Sequence, residues 1–250
     1  MNRLVKNGQL KTIFFSLIIS FISCETEDVE SLQDTSSIEV AMKSSIDEFL
    51  LLKPSEQTNS NFEKVFITSF ENEGFSIESS DFNDYLSDVS NETNQVRSDY
   101  STMVNEEQKA FLNQVEKLAS ITDYNDFLSH YKTFYDSVSL ATNDTNYLDV
   151  LVVVKQIKYL ESEMLEDLNA NSSHDISGRV SQNDLRYSCF STCDKGLQRS
   201  VNTAARNFVI AGGVSVLFGN LLGLGISTYL TYRSISEAQG VHRRCKKACP

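Results

Sequence analysis

Five cysteines are the residues of this chain whose type and spacing could do chemistry. Four fall in two matched Cys-x3-Cys pairs, Cys189/Cys193 and Cys245/Cys249, and the fifth, Cys24, stands alone near the N-terminus. Thiols in such pairs permit disulfide bonds or a tetrahedral four-thiolate metal site. Zinc-binding cysteines are usually separated by two or four residues in loops, so the Cys-x3-Cys spacing favours disulfides and no metal is expected. The histidines add little: His130, His174 and His242 are widely separated and form no His-Glu-x-x-His, and the chain has neither a Gly-x-Ser-x-Gly elbow nor a phosphate loop. With 34 acidic residues, chance pairs of carboxylates are unavoidable. No catalytic residue and no cofactor is expected, and the chain reads as a non-enzyme.

Cys24 has a different context. Arg3, Lys6 and Lys11 precede an uncharged apolar run from Thr12 to Ile22, with the small Ser23 next to the cysteine. As a helix the run would span ~16 Å, about half of a ~30 Å hydrocarbon core, so residues 1–23 read as a signal peptide that is removed. The segment Phe21-Ile22-Ser23-Cys24 resembles the lipobox of bacterial lipoproteins, and Glu25, Glu27, Asp28 and Glu30 are similar to the acidic export signal of Bacteroidota-type surface lipoproteins. The resemblance implies lipidation of Cys24 and a lipid-anchored, surface-exposed place on the outer membrane. Parity agrees, since pairing the other four cysteines leaves Cys24 as the odd thiol that lipid would cap. An exported chain also meets an oxidising compartment, which again favours disulfides.

Charge divides the chain. Residues 24–185 hold 32 acidic and 10 basic residues, net −22, whereas residues 186–250 hold 2 acidic and 9 basic, net +7. A body this acidic lacks the basic surface that phosphate contacts need, which excludes nucleic acid as a partner. The organisation that follows is a lipidated tether at 24–36, an acidic helical domain at 37–168, a polar linker at 169–185 and a basic, glycine-rich unit at 186–250.

The fold expected is all-α. Only two prolines occur, Pro54 and Pro250, and helix formers dominate. Apolar residues recur at helical spacing in Ile38, Met42, Ile46, Phe49 and Leu50, then in Phe62, Val65, Phe66 and Phe70 with Asn61 as the cap. After a turn at Gly74 a third stripe follows, Phe82, Tyr85, Leu86 and Val89, capped by Ser79 or Ser80. Asn105 and Gln108 have the spacing of a capping box ahead of Phe111, Leu112, Val115, Leu118 and Ala119. Asp123 caps a helix carrying Phe127, Leu128, Tyr131, Phe134, Tyr135 and Val138, and the aromatic set Tyr124, Phe127, Tyr131, Phe134 and Tyr135 reads as core before it reads as a ligand groove. The segment from Thr145 to Leu168 includes the β-branched run Val150–Val154, yet its length and period argue for helix.

The last unit admits two readings. From Phe208 to Tyr232 runs a stretch of 25 uncharged residues, in which Ala211, Ser215, Gly219, Gly223, Ser227 and Thr231 form a ladder of small residues at intervals of four. A single helix of that length spans ~37 Å and would cross a membrane, with the ladder as a close-approach face. Alternatively, the chain turns at Gly219-Asn220 and forms a helical hairpin. In antiparallel helices facing residues share one index sum, and 189 with 249 and 193 with 245 share the sum 438, centred on residue 219. If the cysteines pair in this way, the hairpin is required. One continuous helix would hold Cys193 and Cys245 about 78 Å apart.

A basic, glycine-rich, cysteine-paired apolar unit at 186–250 looks like the bacteriocin-like tails of bacterial surface proteins. That resemblance implies binding or perturbation of membranes by Phe208, Val209, Ile210, Val214, Leu217, Phe218, Leu221 and Leu222, with Arg243, Arg244, Lys246 and Lys247 at anionic lipid. Opposite net charges suggest that the acidic body masks the unit. The alternative is a surface interaction module in which the helical body binds a protein or a glycan and the hairpin is purely structural.

Overall fold

The computed structural model describes residues 36–77, 103–170 and 180–249. Among them are seven helices and no strand: α1 (Ser37–Leu51), α2 (Asn59–Asn72), α3 (Glu106–Ala119), α4 (Tyr124–Ala141), α5 (Thr145–Ala170), α6 (Val180–Leu217) and α7 (Leu221–Ala248). The all-α expectation holds, and α6 and α7 form the stapled hairpin. The third apolar stripe, with Ser79 and Ser80, lies outside the described residues, as do Cys24 and the tether up to residue 35.

Helix starts follow local hydrogen-bonding chemistry. Ser36 caps α1 by accepting from the Glu39 N–H, and Asp123 caps α4 by accepting from the Asp126 N–H. At α3 the capping box is complete: the Asn105 side chain accepts from the Gln108 N–H at 2.9 Å, and the Gln108 side chain accepts from the Asn105 N–H at 3.0 Å. The cap of α2 is Thr58 rather than Asn61. Asn61 is the residue whose backbone N–H the Thr58 hydroxyl satisfies, and its own amide donates to the Glu56 carbonyl. Two hydrogen-bonding side chains three apart compete for one role, and the loop geometry after Pro54 selects the earlier one.

Helix α5 is the axis of the body. Val150 to Val154, Ile157 and Leu160 are all buried, and α5 packs against α1, α3, α4, α6 and α7. A helix covered on every side needs no polar face, which is why its β-branched run could be confused with a strand. Its interior also holds one ion pair, Lys158 Nζ to Glu161 Oε2 at 2.6 Å, with both side chains nearly inaccessible. Burial pushes the Glu161 carboxyl above its ordinary range, and the neighbouring ammonium pulls it part of the way back.

The hairpin is built into this core. α6 ends at Leu217, Gly219 adopts φ +68°, and Asn220 caps α7 by accepting from the Gly223 N–H at 2.9 Å. The turn therefore sits at the residue on which the cysteine numbers are centred. Small residues, Gly223 of the ladder and Gly225 outside it, serve the approach of α7 to its neighbours. A Cβ on Gly223 would stand 2.5 Å from the Ser215 hydroxyl across the hairpin, and one on Gly225 would stand 2.8 Å from the Phe66 ring of α2. Among the described residues, no helix is long and apolar enough to cross a membrane.

One hydrophobic core draws on all seven helices. Phe49 of α1 meets Tyr229 and Tyr232 of α7, edge to face with Tyr232 at 4.9 Å, while Phe62 of α2 meets Tyr229 and stacks on Phe66. The Tyr232 hydroxyl donates to Gln57 Oε1 at 2.7 Å, while the Gln57 amide donates to the Leu50 and Leu52 carbonyls at the end of α1. The composition change expected at 169–185 is therefore a change of surface charge, while residues on both sides contribute to the same interior. α5 reaches Ala170 and α6 begins at Val180, six residues ahead of the expected start at 186.

Candidate functional site

The sulfur chemistry is where the residue numbers placed it. Cys189 is bonded to Cys249 and Cys193 to Cys245, each pair with Cα atoms 5.8 Å apart. Cysteines four apart share one face of a helix, so the two bonds lie side by side across the α6–α7 seam. The Sγ atoms of Cys193 and Cys249, which belong to different bonds, are 3.9 Å apart.

Polar and charged groups gather around this clasp. His242 is 5 % exposed and meets Asp194 Oδ1 through Nε2 at 2.7 Å, and Lys246 Nζ reaches the same oxygen at 2.9 Å. A carboxylate only accepts, so His242 Nε2 carries the proton, and Nδ1 is left buried without a partner. Partial burial pushes the Asp194 carboxyl upward, but the hydrogen bonds from His242 and Lys246, with their positive field, hold it below its ordinary value. Phe190 lies beneath two cations, Arg186 at 5.4 Å and Lys246 at 5.7 Å from its ring centre. Deeper in the hairpin, the Gln239 amide donates to the Met164 carbonyl of α5.

Around this cluster the outer surface is cationic. Arg186, Lys195 and Arg199 of α6 and Arg243, Arg244 and Lys247 of α7 are exposed at the same end, because the register that joins the cysteines sets Lys195 level with Arg243. Among the described residues, Arg243, Arg244 and Lys247 enter no ion pair. The ion pair between Arg206 and Glu116 joins hairpin to body farther along α6.

The apolar residues expected to meet a membrane are mostly elsewhere. Phe208, Val209, Val214 and Leu217 are buried in the core, and Phe208 is 1 % exposed. Ile210 is half-buried, and Leu221 and Leu222 are half-buried against the same core. Only Phe218, at the tip, is substantially exposed, at 49 %. The correction has a simple cause: an uncharged helix suits a protein interior as well as a lipid one, and α3, α5 and α2 supply the cover. The basic residues of that expected set fare differently, with Arg243, Arg244 and Lys247 exposed and Lys246 partly drawn in toward Asp194.

Other candidates resolve simply. The aromatic set of α4 packs inward, with Phe127 and Tyr131 buried and Tyr124, Phe134 and Tyr135 half-buried against the core. His130 is exposed and bonded through Nδ1 to the Asp126 carbonyl of its own helix. His174 lies outside the described residues. Sequence reasoning overlooked the pairing of His242 with Asp194. The signal was present, since 194 and 242 nearly share the cysteine index sum. Comparison with protein-family models, with curated proteins and with solved structures returns no match.

Proposed function

We propose that this chain is a non-catalytic surface module, tethered by lipid on Cys24, whose disulfide-stapled cationic end contacts phosphate-bearing lipid headgroups. The observation that carries this reading is the convergence of six exposed cations from two helices on one cross-linked end, where Asp194 is already engaged by His242 and Lys246. Juxtamembrane cations contribute about 1 kcal/mol each near an anionic surface, and a set of this size gives firm, salt-sensitive adsorption. The apolar arms of the hairpin support adsorption rather than insertion, because their side chains are committed to the core. The lipid anchor and the outer-membrane location rest on the sequence resemblance at Cys24.

Capture of a protein or glycan by the body gains less support. Among the described residues, the large exposed apolar side chains apart from Phe218 are Val40, Leu51, Met103, Leu140 and Val241, which are aliphatic and scattered. The test is co-sedimentation of the purified chain with vesicles of phosphatidylcholine alone or mixed with phosphatidylglycerol. Binding is expected only to the mixed vesicles, without release of an entrapped dye, and is expected to disappear at high ionic strength. The triple change Arg243→Gln, Arg244→Gln and Lys247→Gln is expected to weaken it by roughly 100-fold, taking about 1 kcal/mol per charge. Equal binding to neutral vesicles, or binding indifferent to salt, would remove this reading.

A further inference from the structure

We propose that the four sulfurs of the stapled end form, in the reduced chain, a four-thiolate site for a tetrahedral divalent cation of the zinc class. The spacing argument against zinc assumes ligands presented by loops. Here the scaffold is a pair of antiparallel helices, and an interval of four places each Cys-x3-Cys pair on one face of its helix, directed at the other. The Sγ atoms of Cys189, Cys193 and Cys249 all lie within 4.8 Å of one another. The 3.9 Å between Cys193 and Cys249 is close to the edge of a four-thiolate tetrahedron, which a metal–sulfur distance of about 2.3 Å sets near 3.8 Å. Cys245, bonded to Cys193, lies outside that mutual group and supplies the fourth sulfur from α7.

Two further features suit a metal. Cys193 is buried while Cys189, Cys245 and Cys249 are half-buried, which shields the site and leaves it a way in. Four thiolates around one dication also make a doubly negative centre, and the exposed cations of this end, Arg243, Arg244 and Lys247 among them, are placed to offset it.

The conversion balances. Each disulfide takes two electrons and two protons from one dithiol reductant, which becomes a disulfide itself, so two dithiols yield four thiols. The dication then displaces four protons as four metal–sulfur bonds form. The site would keep the ends of α6 and α7 in register while the cross-links are absent, exchanging one kind of clasp for another.

The experiment uses the full chain with Cys24→Ser, so that only these four thiols remain. After reduction by a phosphine and removal of the reagent, Co2+ is added as the spectroscopic probe. The expected result is one cobalt per chain, with intense thiolate-to-cobalt charge transfer and the red d–d bands of a tetrahedral four-thiolate centre, both displaced by Zn2+. Zinc is also expected to raise the Tm of the reduced chain toward that of the oxidised one and to protect all four thiols together from alkylation, read by mass. Cys249→Ser should weaken and shift the cobalt spectrum. If that variant does not fold, alkylation of the parent decides the matter. Four thiols alkylated as fast with zinc as without it, tetrahedral bands absent from fully reduced protein, or one metal shared by two chains would each overturn the proposal.

Discussion

The two halves of the hairpin are held by different means. From Val201 to Tyr232 the arms lie in the body, and Phe208, Val209, Val214, Leu224 and Ile226 are core residues covered by α2, α3 and α5. Toward the cysteines the cover thins: on the α7 side no residue beyond Ile235 belongs to the core cluster, and most of the surface is charged. The disulfides occur where the hydrophobic interior ends. One pair of helices can thus depend on apolar burial along one stretch and on covalent restraint along the next, with each device placed where the other is weakest.

The comparison can be attacked from its strongest side first. Phe208→Ala removes a fully buried ring from the packed half and is expected to cost about 3–5 kcal/mol, measured by urea unfolding of the oxidised chain. A cost under 1 kcal/mol would mean that the packed half is not held by its core. Replacing all four paired cysteines by serine is expected to cost about 2–4 kcal/mol. Its signature should be local, with fast amide exchange appearing around Cys193 and Cys245 while the amides near Phe208 and Leu224 stay protected. Uniform loss of protection would show that the two halves act as one.

Gly225→Ala sets a methyl group 2.8 Å from the Phe66 ring and should destabilise by about 1–3 kcal/mol through overpacking. Alanine at Gly196, where a Cβ meets nothing within 4 Å, should be tolerated. Equal costs at the two glycines would erase the distinction between packed and open stretches.

The smallest effect concerns pH. Asp194 is held below its ordinary value of 3.8, so the stability it contributes is fully present above that value and is lost as pH falls through the lowered one. Amide exchange at the stapled end of the parent should therefore rise, relative to Asp194→Asn, only in acid below about pH 4. A difference in protection between parent and Asp194→Asn that failed to close in acid would contradict the assignment.

Much of this was legible before any coordinates. The Asn105–Gln108 box and the Asp123 cap follow from local chemistry, and index symmetry pointed to the turn at Gly219 and both disulfide pairings while a spanning helix stayed open. What the sequence could not disclose was the partner of an apolar face. Phe208 and Val214 read the same whether lipid or α5 covers them. The buried pair of Lys158 and Glu161 was equally hidden, because a helix covered on all sides has no face whose polarity would mark two charges as interior ones. At Asn61 the failure was of another kind: Thr58 offered the same capping chemistry three residues earlier, and only the path of the loop chooses between them.

The position of the turn also bears on what a protease could accomplish. Phe218, Gly219 and Asn220 are exposed at the end of the hairpin remote from the sulfurs. A cut there would sever the backbone without liberating a fragment, since Cys189–Cys249 and Cys193–Cys245 would still join the two arms and the body would still grip both. Such a nicked chain would migrate as one species on a non-reducing gel and separate into two only after its thiols were freed.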